Sequence, residues 1–252
     1  MSLTKVSFSM INGAVVNVLD FNADPSGTTE CSGAIQDAID YLHSTATGRQ
    51  GGTVFFPTGT YLISSPLTIT PGITGNATTI SLVGENRQST TIKWSGVAAP
   101  ANGMIVCEDE SIYANGGAVW ANFALHGNSV ATRGIYMSDI RNMKFSMLGF
   151  IGFAYSAGYD ACVYLKQGGT YNSGCLLNII DGCDFGMGGL NQGWGIAIVA
   201  GIGNRIQNCE FGGTVKGSIY MSGSTNWIVE NDFEGLTTDS TTSIVCASGR
   251  TW

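Results

Sequence analysis

IQNCEFGG, residues 206–213, recurs in outline through the second half of the chain. WANFALHG (120–127), FSMLGFIG (145–152), IDGCDFG (180–186) and IVENDFEG (228–235) share its pattern of an apolar residue, a small or polar corner, then Phe or Leu. The anchoring residues Leu125, Phe150, Phe185, Phe211 and Phe233 follow one another at steps of 25, 35, 26 and 22 residues. A repeat of that length is the signature of a solenoid, in which each unit buries its apolar face only against its neighbours.

Each copy is followed by a second apolar run: GIYMS (134–138), CVYLK (162–166), GIAIV (195–199), SIYMS (218–222) and SIVCA (243–247). Ile135 and Met137, Val163 and Leu165, Ile196 and Ile198, Ile219 and Met221, and Ile244 and Cys246 alternate with their neighbours, so each run reads as a strand with one buried side. Two short strands per turn, separated by Gly, Asn and Ser, predict an all-β solenoid, a right-handed parallel β-helix. The runs are too short for helices and too rich in Gly for helix interiors, and no leucine-rich-repeat signature occurs. Stacking predicts Cys183 above Cys209, Asn231 at the next level, and an inner column of Phe rings. Trp94 and Trp120 are expected in the core.

Upstream, Ala34, Ile35, Ala38, Ile39 and Leu42 recur at spacings of three and four within residues 31–44, which predicts an amphipathic helix laid across the first coil. Thr28 and Thr29 are its candidate N-caps, and Glu30 favours its first turn. GGTVFFPTGTYLI (51–63) reads as two strands split by the turn at Pro57–Gly59. The chain then divides into a lead-in over 1–20, a capping helix with first coils over 21–70, and coils over 71–252. The repeat is in mid-course at Trp252, which suggests a portion of a longer protein or a last coil covered by a partner.

With 252 residues, 36 Gly and only 12% charged residues, the chain is a turn-rich ordered protein rather than a disordered one. A net charge of −7 disfavours nucleic acid as a partner. No apolar stretch is long enough to insert in a membrane, and no secretory signal is visible at the N-terminus. The seven Cys include no CxxC pair. Cys183, Cys209 and Cys246 read as buried thiols facing inward, consistent with assembly in a reducing compartment. The two isolated His, His43 and His126, make no metal site, so neither metal nor cofactor is expected.

VNVLDFNADPSGTTECSGAIQDAIDYL (16–42), followed by GGTVFFPTGTYLISSPLTI (51–69), resembles the N-terminal signature of the pectate-lyase-like β-helix superfamily. Asn22 stands where that pattern has Gly, and Glu30-Cys31 where it has Asp-Thr. Residues 2–21 look like the lead-in of bacteriophage tailspike and tail-fibre proteins. The resemblance implies a homotrimer that binds, and often cleaves, bacterial surface polysaccharide. It also implies a virion-tail location, assembly in the host cytoplasm and contact with other tail proteins. The shared motif is structural and carries no catalytic residue.

Glycoside cleavage requires two carboxyl groups. The outward position just before each anchor is Ala124, Gly149, Asp184, Glu210 and Asp232, so three successive coils are expected to present acids in one column. Coils about 4.8 Å apart place neighbouring carboxyls near the roughly 5–5.5 Å of retaining enzymes, and Asp184 and Asp232 near the upper edge of the inverting range. The bland alternative is an ordinary solvated face. Glu108, Asp109 and Glu110 form a second acidic cluster in a loop. Tyr136, Tyr164 and Tyr220 fall in one outward column, interrupted by Ala197 and Val245, and suit either sugar stacking or a subunit contact. Trp194 and Trp227, expected at coil corners, are further sugar platforms. A lyase would use a base such as Lys166, Arg205 or Lys216, and a binding-only spike would hold glycan or partner chains through the tyrosine column and turn loops, without catalysis.

Overall fold

The computed structural model describes residues 15–43, 51–69, 79–108, 116–168, 174–187, 190–234 and 243–248. The chain enters through β1 (Val16–Asn17), a 3-10 turn (Val18–Phe21) and β2 (Ser26–Glu30), and then forms α1 (Ser32–His43). Four turns of three strands follow: β3 (Gly51–Phe56), β4 (Gly59–Ile63) and β5 (Leu67–Thr68); β6 (Thr79–Gly84), β7 (Thr90–Trp94) and β8 (Ile105–Glu108); β9 (Val119–Ala121), β10 (Ala124–His126) and β11 (Ile135–Ser138); β12 (Lys144–Ser146), β13 (Gly149–Ile151) and β14 (Ala161–Lys166). Three more turns carry β15 (Ile179–Asp181) with β16 (Trp194–Ile202), β17 (Arg205–Gln207) with β18 (Gly217–Ser224), and β19 (Trp227–Val229) with β20 (Ile244–Ser248).

Every pairing between these strands is parallel, and they sort into three sheets of eight, five and seven strands. The fold is a parallel β-helix with three strands per coil, not the two read from the sequence. The second-sheet strand is only three residues long in β10 and β13. Beyond Gly149 it shrinks to single bridges at Asp184, Glu210 and Asp232. So short a segment has no alternation to detect, and it merges in sequence with the strand before it.

The core is one continuous column of inward side chains. Phe150, Phe185, Phe211 and Phe233 stack face to face, with ring centroids 4.9, 4.7 and 5.1 Å apart and planes within 7° of parallel. Trp94 and Trp120 are buried as expected. Cys183 and Cys209 are buried free thiols one rung apart, and Asn231 continues the column by accepting from the Cys209 backbone N–H at 2.9 Å. Cys246, expected inside, is exposed. It is in register with buried Met221, and among the described strands β20 pairs with β18 alone.

Where the third sheet returns to the first, the buried side chains of Asn178, Asn204 and Asn226 form a ladder through the core. Asn204 Oδ1 accepts from the Asn178 backbone and side chain at 3.1 and 2.9 Å. Its Nδ2 donates to the Cys175 carbonyl at 2.9 Å and to Asn226 Oδ1 at 3.0 Å. Each amide thus satisfies backbone groups that the corner takes out of the sheet ladder.

Helix α1 packs its buried face, Ile35, Ala38, Ile39 and Leu42, against β1, β3, β5 and the 3-10 turn. β5 is the end strand of its sheet, and Gln36 treats it as a strand partner: its side chain accepts from Thr68 N at 2.9 Å and donates to Thr68 O at 2.8 Å. That blunts an edge otherwise open to pairing with another chain. Thr28 and Thr29 lie in β2 and do not cap the helix. Glu30 does so instead, accepting from Ser32 N at 2.8 Å and also from Ser64 N at 3.1 Å. Burial works to raise its pKa, but the hydrogen bonds from Ser32 and Ser64 outweigh it and hold the carboxyl below its usual value.

Candidate functional site

The acid column is built by a sharp corner between the first and second sheets. The corner residues Asn122, Met147, Gly182, Asn208 and Glu230 all have left-handed backbone, with φ of 63°, 53°, 63°, 54° and 56°. That conformation is costly for side-chain-bearing residues other than Asn, so packing must hold Met147 and Glu230 there. After the bend the alternation resumes with Cys209 in, Glu210 out and Phe211 in.

Continuous backbone bonding fixes the register. Phe150 N–H donates to Asp184 O, Phe185 N–H to Glu210 O and Phe211 N–H to Asp232 O, each at 2.9 Å. Glu210 and Asp232 donate back to Cys183 O and Cys209 O at 2.9 and 2.8 Å. Gly149, Asp184, Glu210 and Asp232 therefore occupy successive rungs of one column, about 4.8 Å apart. Asp184 is half-buried and accepts from Gly186 N at 2.9 Å, which fixes its carboxylate, whereas Glu210 and Asp232 are exposed.

A cation not foreseen in the sequence lies at the head of this column. Arg87, in the corner between β6 and β7, donates from Nη1 to the Gly182 carbonyl at 3.0 Å. Its chain passes over Gly149, where an added Cβ would lie 3.2 Å from Arg87 Cγ and 2.3 Å from Met187 Sδ. The only sequence signal was the missing side chain at Gly149.

The tyrosines lie elsewhere. Tyr136, Tyr164, Ala197, Tyr220 and Val245 are in register on the outer face of the third sheet. Tyr136 is buried, and Tyr164 and Tyr220 are half-buried. Trp194 is the first residue of β16 on this sheet, its ring 5.6 Å from Tyr220. Trp227 begins β19 on the first sheet, in register with Arg205, and is half-buried. The acids, the tyrosines with Trp194, and Trp227 thus occupy three different sheets. Of the basic candidates, Lys166 stands 5.1 Å over the Tyr136 ring and Lys216 5.6 Å over Tyr155, while Arg205 bonds Gln207.

Glu108 ends β8 and is exposed, and Asp109 and Glu110 lie outside the described residues. His126 Nδ1 accepts from Asn128 N at 2.9 Å, and burial lowers the pKa of both His126 and His43. Among the described residues no cluster of three or more His, Cys, Asp or Glu is placed to hold a metal ion, and no helix is long and apolar enough to cross a membrane.

A family model described as rhamnogalacturonase A/epimerase, pectate lyase-like, matches residues 15–252. No curated protein matches the chain. Among solved structures, PfbA, a surface adhesin of Streptococcus pneumoniae, aligns over 94% of this chain and 62% of its own at 15% identity, with a TM-score of 0.61. The Dettilon tailspike protein aligns over 86% and 44% at 16% identity, with a TM-score of 0.57. ORF18 of Geobacillus virus E2 aligns over 86% and 48% at 19% identity, with a TM-score of 0.55. The chain spans between 44% and 62% of the length of these structures, and at such identities the likeness is one of fold.

Proposed function

The chain belongs to the rhamnogalacturonase A/epimerase, pectate lyase-like family, and from that premise we propose that it is part of a phage tailspike that binds bacterial surface polysaccharide and hydrolyses it at the acid column. Two of the fold's likenesses are phage proteins, one of them described as a tailspike, and the third is a surface adhesin. The observation that carries the reading is the register of Asp184, Glu210 and Asp232 on three consecutive rungs, open to solvent at two of them.

Backbones of neighbouring rungs stand about 4.8 Å apart, a spacing that supports a carboxyl pair at the roughly 5–5.5 Å of retaining hydrolysis. One carboxyl gives a proton to the departing glycosidic oxygen. The other attacks the anomeric carbon, and water later releases the sugar. Asp184 is the fixed member, and Glu210 has the longer, more exposed side chain to reach the leaving oxygen. The spike is a homotrimer in this reading.

The test is reducing-end release from purified capsule or O-antigen of the host. Wild type releases ends, and Asp184→Asn and Glu210→Gln each slow release by about 10²-fold or more. Wild-type rates in both variants would sink the assignment. Unsaturated products absorbing in the ultraviolet point to a lyase, and binding without product points to a receptor-binding spike.

A further inference from the structure

The tyrosine column looks broken in the sequence, because Ala197 stands between Tyr164 and Tyr220. The structure closes the break with a residue from outside the repeat. Tyr159 comes from the long corner between β13 and β14 and places its ring 6.3 Å from Tyr164 and 4.5 Å from Tyr220. Its hydroxyl donates to that of Tyr220 at 3.2 Å. With Tyr136 5.7 Å from Tyr164, four rings run without interruption from β11 to β18, a distance of about 14 Å at 4.8 Å per coil.

The corner that delivers Tyr159 is fixed. The side chain of Asp160 is only 2% exposed and pairs with Arg133 at 2.8 Å. Its other oxygen accepts from Ser156 N, Ser156 Oγ and Ala157 N at 2.9, 2.8 and 3.1 Å. Trp194 supports the strip from below through Tyr220. Tyr159 itself is 37% exposed, so it meets solvent while its position is set by its buried neighbour.

Charge is distributed to match. In a chain of net charge −7, two of the 11 Lys and Arg lie over these rings and a third lies over Tyr155 of the same corner. Arg133 lies 5.0 Å over Tyr164, Lys166 5.1 Å over Tyr136, and Lys216 5.6 Å over Tyr155 beside the strip. Asp160 neutralises Arg133 and Glu108 lies in the field of Lys166, which leaves the exposed Lys216 as the cation beside the strip. The acid column, by contrast, sits on another sheet.

We propose that the third sheet carries a second saccharide site, separate from the acid column, that holds a carboxylate-bearing glycan without cutting it. Sugar rings present an apolar face to Tyr159 and Tyr220 and hydroxyls to their polar edges, and Lys216 meets the carboxylates. The inference rests on the saccharide reading above and adds where the polymer is gripped.

The test uses the full chain against an array of glucuronate- or neuraminate-bearing oligosaccharides and their neutral counterparts, with affinities of the hits measured by calorimetry. The Glu210→Gln/Asp232→Asn protein is expected to bind the acidic glycans within about twofold of wild type. Tyr159→Ser and Tyr159→Ala/Tyr220→Ala are expected to lose at least tenfold, equivalent to about 1.4 kcal/mol, while short soluble oligosaccharides are still cleaved. Tyr159→Ser changes an exposed corner side chain, so it keeps the measurement valid where the double variant does not fold. Wild-type affinity in folded Tyr159→Ser, or loss of binding in the acid-column variant, overturns the separate site and leaves the hydrolase reading standing. A wild-type chain that neither binds nor cleaves any glycan overturns both.

Discussion

Replacing Phe211 by Ala removes the centre of the inner ring column. Phe211 is fully buried and stacks on Phe185 at 4.7 Å and on Phe233 at 5.1 Å. Truncating a buried Phe costs about 3–5 kcal/mol through lost transfer energy and the cavity left behind. Stacked pairs add about 0.5–1.5 kcal/mol each beyond buried area. Two pairs are lost here, so the expected cost is about 4–5 kcal/mol, the upper part of the range for a buried ring. Phe233 is the internal control: it is half-buried and stacks on Phe211 alone among these rings. Phe233→Ala is expected to cost about half as much, roughly 2–3 kcal/mol. Urea unfolding followed by tryptophan fluorescence and circular dichroism gives both values, provided the slopes stay equal. Amide exchange adds a local reading, because Phe185 N–H and Phe211 N–H carry the rung bonds to Glu210 and Asp232. Both amides are expected to exchange faster in Phe211→Ala, and only the outer one in Phe233→Ala. Equal costs for the two variants, or a cost below about 2 kcal/mol for Phe211→Ala, would refute the stacked column as the element that holds these coils together.

Asn204→Ala breaks the buried amide ladder and removes the acceptor of Asn178 N–H, while the Cys175 carbonyl keeps its bond from Ile202 N–H, so a loss of about 1–3 kcal/mol is expected in the same unfolding assay. Asn204→Asp is expected to be worse above the carboxylate pKa, since it cannot donate to Cys175 O or Asn226 Oδ1. Burial works to raise the Asp160 pKa, but hydrogen bonds from Ala157 and Ser156 and the Arg133 charge hold it below the usual carboxylate value. Its stabilisation is therefore complete above the unfolded pKa of about 4 and lost as pH falls through the lower folded value. Asp160→Asn is expected to cost about 3 kcal/mol at pH 7 and to flatten that acid limb in a pH series of melting curves. An unchanged acid limb in the variant would remove Asp160 from the account.

The class of fold and much of its register were legible from local patterns alone. The Phe step and the alternation of Ile219 with Met221 are local patterns, and they demand a coil whose inner face is shared with its neighbours. The amphipathic face of α1 was legible for the same reason, because Ile35, Ala38, Ile39 and Leu42 carry their signal within one element. The order of Asp184, Glu210 and Asp232 followed from counting back from each anchor, and it coincides with the bridges found. The third strand of each coil was not legible, because a single residue such as Glu210 has no period. Nor was Glu30 as the cap of α1, whose partner Ser64 is 34 residues away.

Which sheet carries each column depends on how the coils bend at their corners. The left-handed corners at Met147 and Glu230 set the turn from first to second sheet, and no local preference announces them in those residue types. They place the acids and the tyrosines on different sides of one stack. They also let Arg87 reach Gly182 and Tyr159 reach Tyr220, contacts between residues 95 and 61 positions apart. A repeat fixes which residues lie above one another, because that depends on spacing along the chain. The bend at each corner fixes what lies beside them, and that depends on packing that no single coil contains.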